Sequence, residues 1–229
     1  MKKLMNQPEH FVKETMEGII AAYGDKVRLL NGDYRILLSN YETRPGKVGI
    51  VTAGGSGHLP VFLGYVGQGL LDGCTVGNVF ASPSASKMAD MIRACDRGNG
   101  VLVLFGNYGG DRMNFELACE TVDMEDDIRT EMVLVKDDVA SAPACEKDRR
   151  RGVAGMVYAF KVAGAAAENG KTLRWRPQPV TLWKISAPWV WPCPPAPYRR
   201  WGNRPSPLRR TRSRSVWAST GSPAWRSVK

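Results

Sequence analysis

The stretch Lys47-Val-Gly-Ile-Val-Thr-Ala-Gly-Gly-Ser-Gly-His-Leu-Pro60 begins as a short β-branched run and ends in a glycine-rich loop. The stretch Gly100-Val-Leu-Val-Leu-Phe-Gly-Asn-Tyr-Gly-Gly-Asp111 has the same order of an apolar run and a glycine loop. Each run has the length and composition of a buried strand, and each loop marks the end of its strand. Glu131-Met-Val-Leu-Val135 is a third run of this kind.

Helical patterns surround these three predicted strands. Helices are predicted at 10–23, from Arg112 to about Val122 and at 153–168, and residues 61–71 are compatible with a helix despite three glycines. Strands that alternate with helices predict an α/β fold, with a mainly parallel or mixed sheet and helices on both faces. In such sheets, ligands bind beyond the carboxyl ends of the strands, where both glycine loops lie.

The composition of the chain changes after Leu173. The 229 residues carry a formal net charge of +10, yet residues 174–229 contain ten arginines, two lysines and no acidic residue. All seven tryptophans and ten of the fifteen prolines also lie in that segment. Residues 1–173 are mildly acidic, with 22 acidic and 20 basic residues. We therefore predict a first domain at 1–173, followed by an irregular, disordered Arg/Trp/Pro-rich tail at 174–229.

The cysteines and the apolar runs of the sequence bear on where the protein is located and on whether it binds a metal ion. The five cysteines are widely spaced and form no C-x-x-C pair, which argues against a disulfide framework or a zinc site. The sequence has no run of about 18 apolar residues, and no apolar run of signal-peptide length follows the two lysines near its start. We expect a cytoplasmic protein that neither enters a membrane nor binds a metal.

His58 is the first candidate site residue. It directly follows Gly54, Gly55, Ser56 and Gly57, and it is one of two histidines in the chain. Glycines after a strand let the backbone approach an oxygen-rich ligand, but this loop lacks the pattern of a P-loop or of a dinucleotide fingerprint. A histidine at this place can exchange hydrogen bonds with a substrate hydroxyl near neutral pH. The alternative is a histidine that only holds the turn.

Asp111 is the second candidate site residue. It ends the second glycine loop at the start of a predicted helix. It is therefore either a base at the mouth of its strand or the N-cap of the helix. The pair Asp137-Asp138 after the third strand has the same two interpretations, and Arg149-Arg150-Arg151 is interpreted as a solvated charge run.

Five ordered motifs resemble the substrate-binding K-subunit of dihydroxyacetone kinase. They are Thr52-Ala-Gly-Gly-Ser-Gly-His-Leu-Pro60, Gly64-Tyr-Val-Gly-Gln-Gly69, Phe80-Ala-Ser-Pro83, Asn107-Tyr-Gly-Gly-Asp-Arg-Met-Asn-Phe-Glu116 and Arg150-Arg-Gly-Val-Ala154. The resemblance implies a K-type domain that binds a short ketose, dihydroxyacetone or erythrulose, and presents a hydroxyl of that ketose for phosphorylation.

The resemblance also implies roles for residues and partners. The backbone of Gly55 and the side chains of His58 and Asp111 would contact the substrate hydroxyls, with Asp111 as the catalytic base and His58 as its partner. The chain itself would bind no cofactor. Its phosphoryl donor would be held by a nucleotide-binding L-type subunit that carries ADP, or by a fused domain that binds ATP. The intact family forms homodimers.

The sequence departs from the family pattern in two ways. Leu59 stands where many dihydroxyacetone-specific members carry Glu, as in relatives that act on four-carbon ketoses such as erythrulose. The family also holds its substrate through a covalent bond from the ketone carbon to a histidine in its second half. No histidine follows His58 in this sequence.

A change of reading frame accounts for the missing histidine. Back-translation of Trp217-Ala-Ser-Thr-Gly-Ser-Pro-Ala-Trp225, read from the third base of each codon, permits Gly-Ile-His-Gly-Glu-Pro-Gly-Val, which looks like the family's covalent-histidine motif. We infer that the sequence after Leu173 is out of frame. The K-type structure would then be truncated, and ketose phosphorylation would be impaired or absent.

The tail also has an alternative interpretation. Arginines neutralise phosphates and tryptophans stack on bases, so residues 174–229 could form a nucleic-acid-binding extension on an α/β domain. Nucleic-acid binding with a steep salt dependence, lost when the chain is cut after Leu173, would favour this alternative.

Overall fold

The computed structural model describes residues 5–173, which form four helices and six strands. The helices are α1 (Phe11–Tyr23), α2 (Ala85–Cys95), α3 (Gly109–Asp126) and α4 (Gly155–Glu168). The strands are β1 (Val27–Leu30), β2 (Asp33–Ser39), β3 (Gly49–Gly55), β4 (Gly73–Gly77), β5 (Val101–Gly106) and β6 (Thr130–Val135). Short 3-10 turns include Ser56–His58 and Leu63–Tyr65.

The six strands form one mixed sheet in the order β1-β2-β4-β3-β5-β6. Neighbours among β3 to β6 pair in parallel, whereas β2 is antiparallel to both β1 and β4. The predicted α/β fold with a mixed sheet is confirmed. β4, which follows β3 in the chain, lies beside β3 on the side away from β5. β6, which follows β5, lies beside β5 on the side away from β3. The strand order therefore reverses between β3 and β5, which is the switch point where open α/β sheets bind ligands.

Two apolar clusters lie on opposite faces of the sheet. Leu102 and Leu104 of β5 belong to the cluster that includes α1 and α4, whereas Val101, Val103 and Phe105 belong to the cluster that includes α2 and α3. Successive strand residues point to opposite faces, so this division follows from the alternation along β5. The prediction of helices on both faces is confirmed.

Most predicted elements are present, with one error. The predicted strands correspond to β3, β5 and β6, and the predicted helices at 10–23, 112–122 and 153–168 correspond to α1, α3 and α4. The helix considered for 61–71 is wrong: that stretch contains the short turn Leu63–Tyr65 and an isolated bridge between Val66 and Leu71, and Gly69 has a φ of +66°. The sequence patterns did not predict β1, β2, β4 or α2.

The tail at 174–229 lies outside the described residues. The predicted disorder, the change of frame and the nucleic-acid-binding alternative all fall on that segment, and the domain boundary after Leu173 stays a prediction. Leu173 itself is buried in the cluster with α1 and α4. Among residues 5–173, no helix combines the length and the apolar character needed to span a bilayer.

Candidate active site

Both glycine loops lie at the carboxyl edge of the sheet, on either side of the switch point. β3 ends at Gly55 and continues into the turn Ser56–His58, and β5 ends at Gly106, shortly before α3 begins at Gly109. Because β3 and β5 are parallel neighbours, their carboxyl ends open at the same edge. The fold therefore places both glycine loops, and with them the predicted site residues, at one edge of the sheet beside the switch point.

The first glycine loop is packed too closely for any side chain larger than hydrogen. A Cβ on Gly54 would lie 2.3 Å from two ring carbons of Phe62. A Cβ on Gly55 or Gly57 would lie 2.7 or 2.6 Å, respectively, from the carbonyl oxygen of Val79. The glycines therefore have a packing reason, apart from any contact with a ligand.

The amides of this loop are partly used inside the protein. The N–H of Ser56 donates to the carbonyl of Asn78 at 3.2 Å, and the N–H of Gly57 donates to the carbonyl of Val79 at 2.8 Å. These two hydrogen bonds fasten the loop to the segment after β4. The two amides that make them are thus engaged within the protein.

His58 ends the turn that follows β3 and lies near two aromatic rings. Its ring centroid lies 6.0 Å from that of Phe62, with an interplanar angle of 78°, and 5.7 Å from that of Phe80. Burial lowers the pKa of His58 below its ordinary value. The neutral imidazole therefore predominates at neutral pH, with one nitrogen as donor and the other as acceptor.

Asp111 is the third residue of α3, and Tyr108 occupies the N-cap position. The alternative that Asp111 is the N-cap is therefore wrong. Asp111 is 7% exposed, and its Oδ1 has no hydrogen-bond partner among residues 5–173. Burial raises the pKa of Asp111 to about 6, and a hydrogen bond with Ser82 opposes this effect. A carboxyl group with a pKa near the working pH is suited to proton transfer.

The segment 78–84, between β4 and α2, connects the two candidate residues. Phe80 contacts the ring of His58, and Ser82 forms its hydrogen bond with Asp111. The segment therefore contacts both glycine loops. His58 and Asp111 both face this segment, although 52 positions separate them in the sequence.

Sequence reasoning did not identify Phe80 and Ser82 as site residues. Both belong to Phe80-Ala-Ser-Pro83, one of the five motifs of the resemblance, so the motif itself was the available signal. They reach the carboxyl edge because they follow β4, the central strand that the sequence patterns did not predict.

Two predicted site residues have buried oxygen atoms without a partner in the described part of the chain. These atoms are Ser56 Oγ and Asp111 Oδ1. Thr52 Oγ1 on β3 and Thr75 Oγ1 on β4 are also buried and without a partner among the described residues. Buried polar atoms are rarely left unpaired in native proteins. The unpaired oxygens of Ser56 and Asp111 are therefore available to a hydroxylated ligand or to water.

Asp137 has a structural role instead. Its Oδ1 accepts the N–H of Val153 at 2.8 Å, and its Oδ2 accepts the N–H of Gly155 at 2.7 Å, so it satisfies amides at the start of α4. The guanidinium group of Arg151 lies 5.0 Å from the centroid of the Tyr108 ring. Within residues 5–173, no group of three or more His, Cys, Asp or Glu residues is placed to hold a metal ion.

Comparison with known proteins shows which family the chain resembles. A family model described as Dak1 domain matches residues 17–176. The chain is 47% identical over 173 residues to the L-erythrulose kinase of Pectobacterium atrosepticum, and the match covers 76% of this chain and 29% of that protein. It is 44% identical over 173 residues to the dihydroxyacetone-binding subunit of PTS-dependent dihydroxyacetone kinase 1 of Listeria innocua, covering 76% of this chain and 52% of that subunit.

A solved structure shows the same fold. The dihydroxyacetone kinase of C. freundii in its native form matches with a TM-score of 0.69 and 33% sequence identity, over 76% of this chain and 32% of that chain. The present chain thus spans about half the length of the Listeria subunit and less than a third of the two kinases.

Proposed function

The chain belongs to the Dak1 domain family, and on that premise we propose that residues 1–173 form the ketose-binding domain of a dihydroxyacetone kinase-type phosphotransferase. The proposed substrate is dihydroxyacetone or erythrulose, bound at the carboxyl edge between β3 and β5. The relatives named for these two ketoses support this substrate class.

The observation that carries the proposal is the state of Asp111. A carboxyl group that is 7% exposed, has one oxygen without a partner among residues 5–173 and has a pKa of about 6 is unusual for a structural aspartate. It is suited to a base that must accept a proton near neutral pH. A substrate hydroxyl would supply the missing hydrogen bond to Oδ1.

The proposed chemistry divides the work between the two side chains. As the ketose hydroxyl oxygen forms its bond to the phosphorus of the donor, its proton passes to Asp111 and the nucleotide leaves. His58, neutral because of its burial, donates to or accepts from a second substrate oxygen and so orients the ketose. Phosphoryl transfer depends mainly on such alignment and on charge stabilisation.

We further propose that a nucleotide-binding L-type subunit or domain supplies the phosphoryl group. We place the reaction in the cytoplasm, a compartment with which the free thiols of the buried residues Cys74, Cys95 and Cys119 are compatible. The choice between the two ketoses depends on the residue after His58. Leu59 is 46% exposed there, and it lacks the carboxylate that many dihydroxyacetone-specific members of the family carry at this position.

Binding of ketose to the 229-residue chain tests the proposal. Titration with dihydroxyacetone and with L-erythrulose, followed by calorimetry or by NMR, should give saturable binding. Glycerol has similar hydroxyls without the ketone and serves as the control ligand. The variants His58→Ala and Asp111→Asn should each weaken ketose binding by roughly tenfold or more, the change that about 1.4 kcal/mol produces.

The matched control variant is His10→Ala, because His10 is an exposed histidine in the turn before α1. It should bind both ketoses as the original chain does. Equal affinity in His58→Ala and His10→Ala would remove His58 from the site, and equal affinity for glycerol would remove the ketose assignment.

A further inference from the structure

Phe62 has a backbone conformation that is rare for a residue with a side chain. Its φ is +73° and its ψ is −82°. The other described non-glycine residues with positive φ are Asn31 and Asp127, which are residue types that tolerate such angles. A bulky residue stays in such a conformation only where the surrounding structure holds it there. Glycine would adopt these angles without strain, so we expect the phenyl ring of Phe62 to make contacts that glycine could not make.

The ring of Phe62 has two neighbours at the candidate site. Three of its carbons lie within 2.8 Å of the point that a Cβ on Gly54 would occupy, so the ring fills the space beside the end of β3. It also meets the imidazole of His58 in an edge-to-face arrangement, with a centroid separation of 6.0 Å. Phe62 itself is 6% exposed and belongs to the core cluster with α1 and α4.

Phe80 supplies a second ring to the same imidazole. Its centroid lies 5.7 Å from that of His58, and Phe80 is 52% exposed. One ring thus approaches His58 from the core and the other from the surface segment after β4. An imidazole that contacts two rings has fewer accessible rotamers than one that faces only water.

We propose that Phe62 is a positioning residue for His58: its strained backbone aims the phenyl ring so that, together with Phe80, it fixes the orientation of the half-buried imidazole and shields part of it from water. That the positioned imidazole then orients the ketose rests on the proposed function, but the positioning of His58 by Phe62 does not. Removal of either ring exposes more of the imidazole to water. Water favours the charged form, so the pKa of His58 must rise towards its ordinary value of about 6.5.

The test uses NMR titration of the Cε1-bound proton of each imidazole in the 229-residue chain, which has two histidines and hence two such signals. His10→Gln identifies the signal of His58. The expected result for Phe62→Leu and Phe62→Gly is an upward shift of the titration midpoint of His58, together with a changed ring-current shift. The exposed ring makes Phe80→Leu a mild substitution, and this variant should move the midpoint in the same direction.

The matched control is Phe160→Leu. Phe160 is fully buried in the same core cluster, and its ring packs against Tyr65 at a centroid distance of 5.9 Å. This variant loses core packing but should leave the His58 signal in place. The proposal is overturned if Phe62→Leu moves the His58 midpoint no more than Phe160→Leu does. It is equally overturned if Phe80→Leu and Phe62→Gly both titrate as the original chain. Neither readout needs a substrate, so a wrong ketose assignment would leave the result unchanged.

Discussion

Lys47 and Asp72 form an ion pair inside the protein, with Lys47 Nζ 2.7 Å from Asp72 Oδ1. Lys47 also contacts Glu168 of α4 at 2.8 Å, and Asp72 Oδ2 accepts the N–H of Ile50 in β3. Lys47 is 2% exposed. The pair thus ties the end of α4 to the beginning of the central strand, at the edge of the sheet opposite to the candidate site.

Lys47→Met should destabilise the protein strongly, because it leaves the carboxylates of Asp72 and Glu168 without their cation. Breaking a buried pair from one side costs about 3–5 kcal/mol, whereas Lys13→Met, which breaks the exposed pair with Glu17, should change the free energy of unfolding by less than about 0.5 kcal/mol. Denaturation should be followed by circular dichroism, because all seven tryptophans lie after Leu173. Equal losses in the two variants would show that the buried pair has no special role.

Gly54→Ala should lower stability because the new methyl group and the ring of Phe62 cannot occupy the same space. Overpacking of this kind costs about 1–3 kcal/mol. The control is Gly18→Ala in α1, where a Cβ meets nothing within 4 Å and alanine should stabilise the helix by about 0.5–1 kcal/mol. Opposite signs in thermal unfolding are the expected result. A stabilised Gly54→Ala variant would contradict the packing at the end of β3.

Asp111→Asn should change both the pH dependence of the free energy of unfolding and the affinity for ketose. The pKa of Asp111 is about 6 in the folded protein and near 3.8 in the unfolded chain, so ionisation of this group costs the folded state stability as the pH rises between these values. Asparagine removes that cost. The free energy of unfolding of the variant, relative to the original chain, should therefore rise by on the order of 3 kcal/mol from about pH 4 to about pH 7.

The same variant should bind ketose roughly tenfold or more weakly, since a neutral amide oxygen is a weaker hydrogen-bond acceptor than a carboxylate. Urea denaturation at a series of pH values gives the difference in the free energy of unfolding between the variant and the original chain. The comparison variant is Asp137→Asn, which changes a carboxylate that accepts hydrogen bonds from amides at the start of α4. A pH-independent stability difference for Asp111→Asn would mean that this carboxyl group is ionised without cost and is not prepared to act as a base.

The sequence predicted those strands whose own residues are apolar. β5 contains the continuous apolar run Val101-Leu-Val-Leu-Phe105, and this composition predicts a buried strand. β4 is Gly73-Cys-Thr-Val-Gly77, and its glycines argue against a strand. Gly73 is there because a Cβ would lie 2.7 Å from Cys95 Sγ of α2, so the strand needs a close approach by a helix. A partner distant in the sequence is not visible in a local pattern.

The candidate site was predictable to a similar extent. His58 and Asp111 follow recognisable loops, and the resemblance gave both a role. Ser82 and Phe80 reach them only through the sheet order, which places β4 beside β3. Phe62 lies in a stretch that is compatible with a helix by pattern, and its positive φ results from the folded surroundings. Contacts between segments therefore account for what the sequence patterns missed.

The last prediction concerns turnover. We expect that the 229-residue chain will not sustain ketose phosphorylation even with its nucleotide-binding partner and donor. A substrate held only by hydrogen bonds to His58 and Asp111 can sample unproductive orientations, whereas a covalent bond to the ketone carbon fixes the line of attack. Restoring the third reading frame after Leu173 should supply that histidine and return activity. The assay is the phosphorylated dihydroxyacetone or erythrulose formed by the two chains side by side.

His58→Ala in the restored chain is the control, because it keeps the covalent anchor and removes only the hydrogen-bonding partner. It should reduce turnover without abolishing formation of the covalent adduct, which mass spectrometry of the intact protein under non-denaturing conditions can detect. Full turnover by the 229-residue chain would show that residues 174–229 and the missing histidine do not matter as proposed. An inactive restored chain would count against the frame change, because the relation of residues 17–176 to the Dak1 family does not depend on the tail.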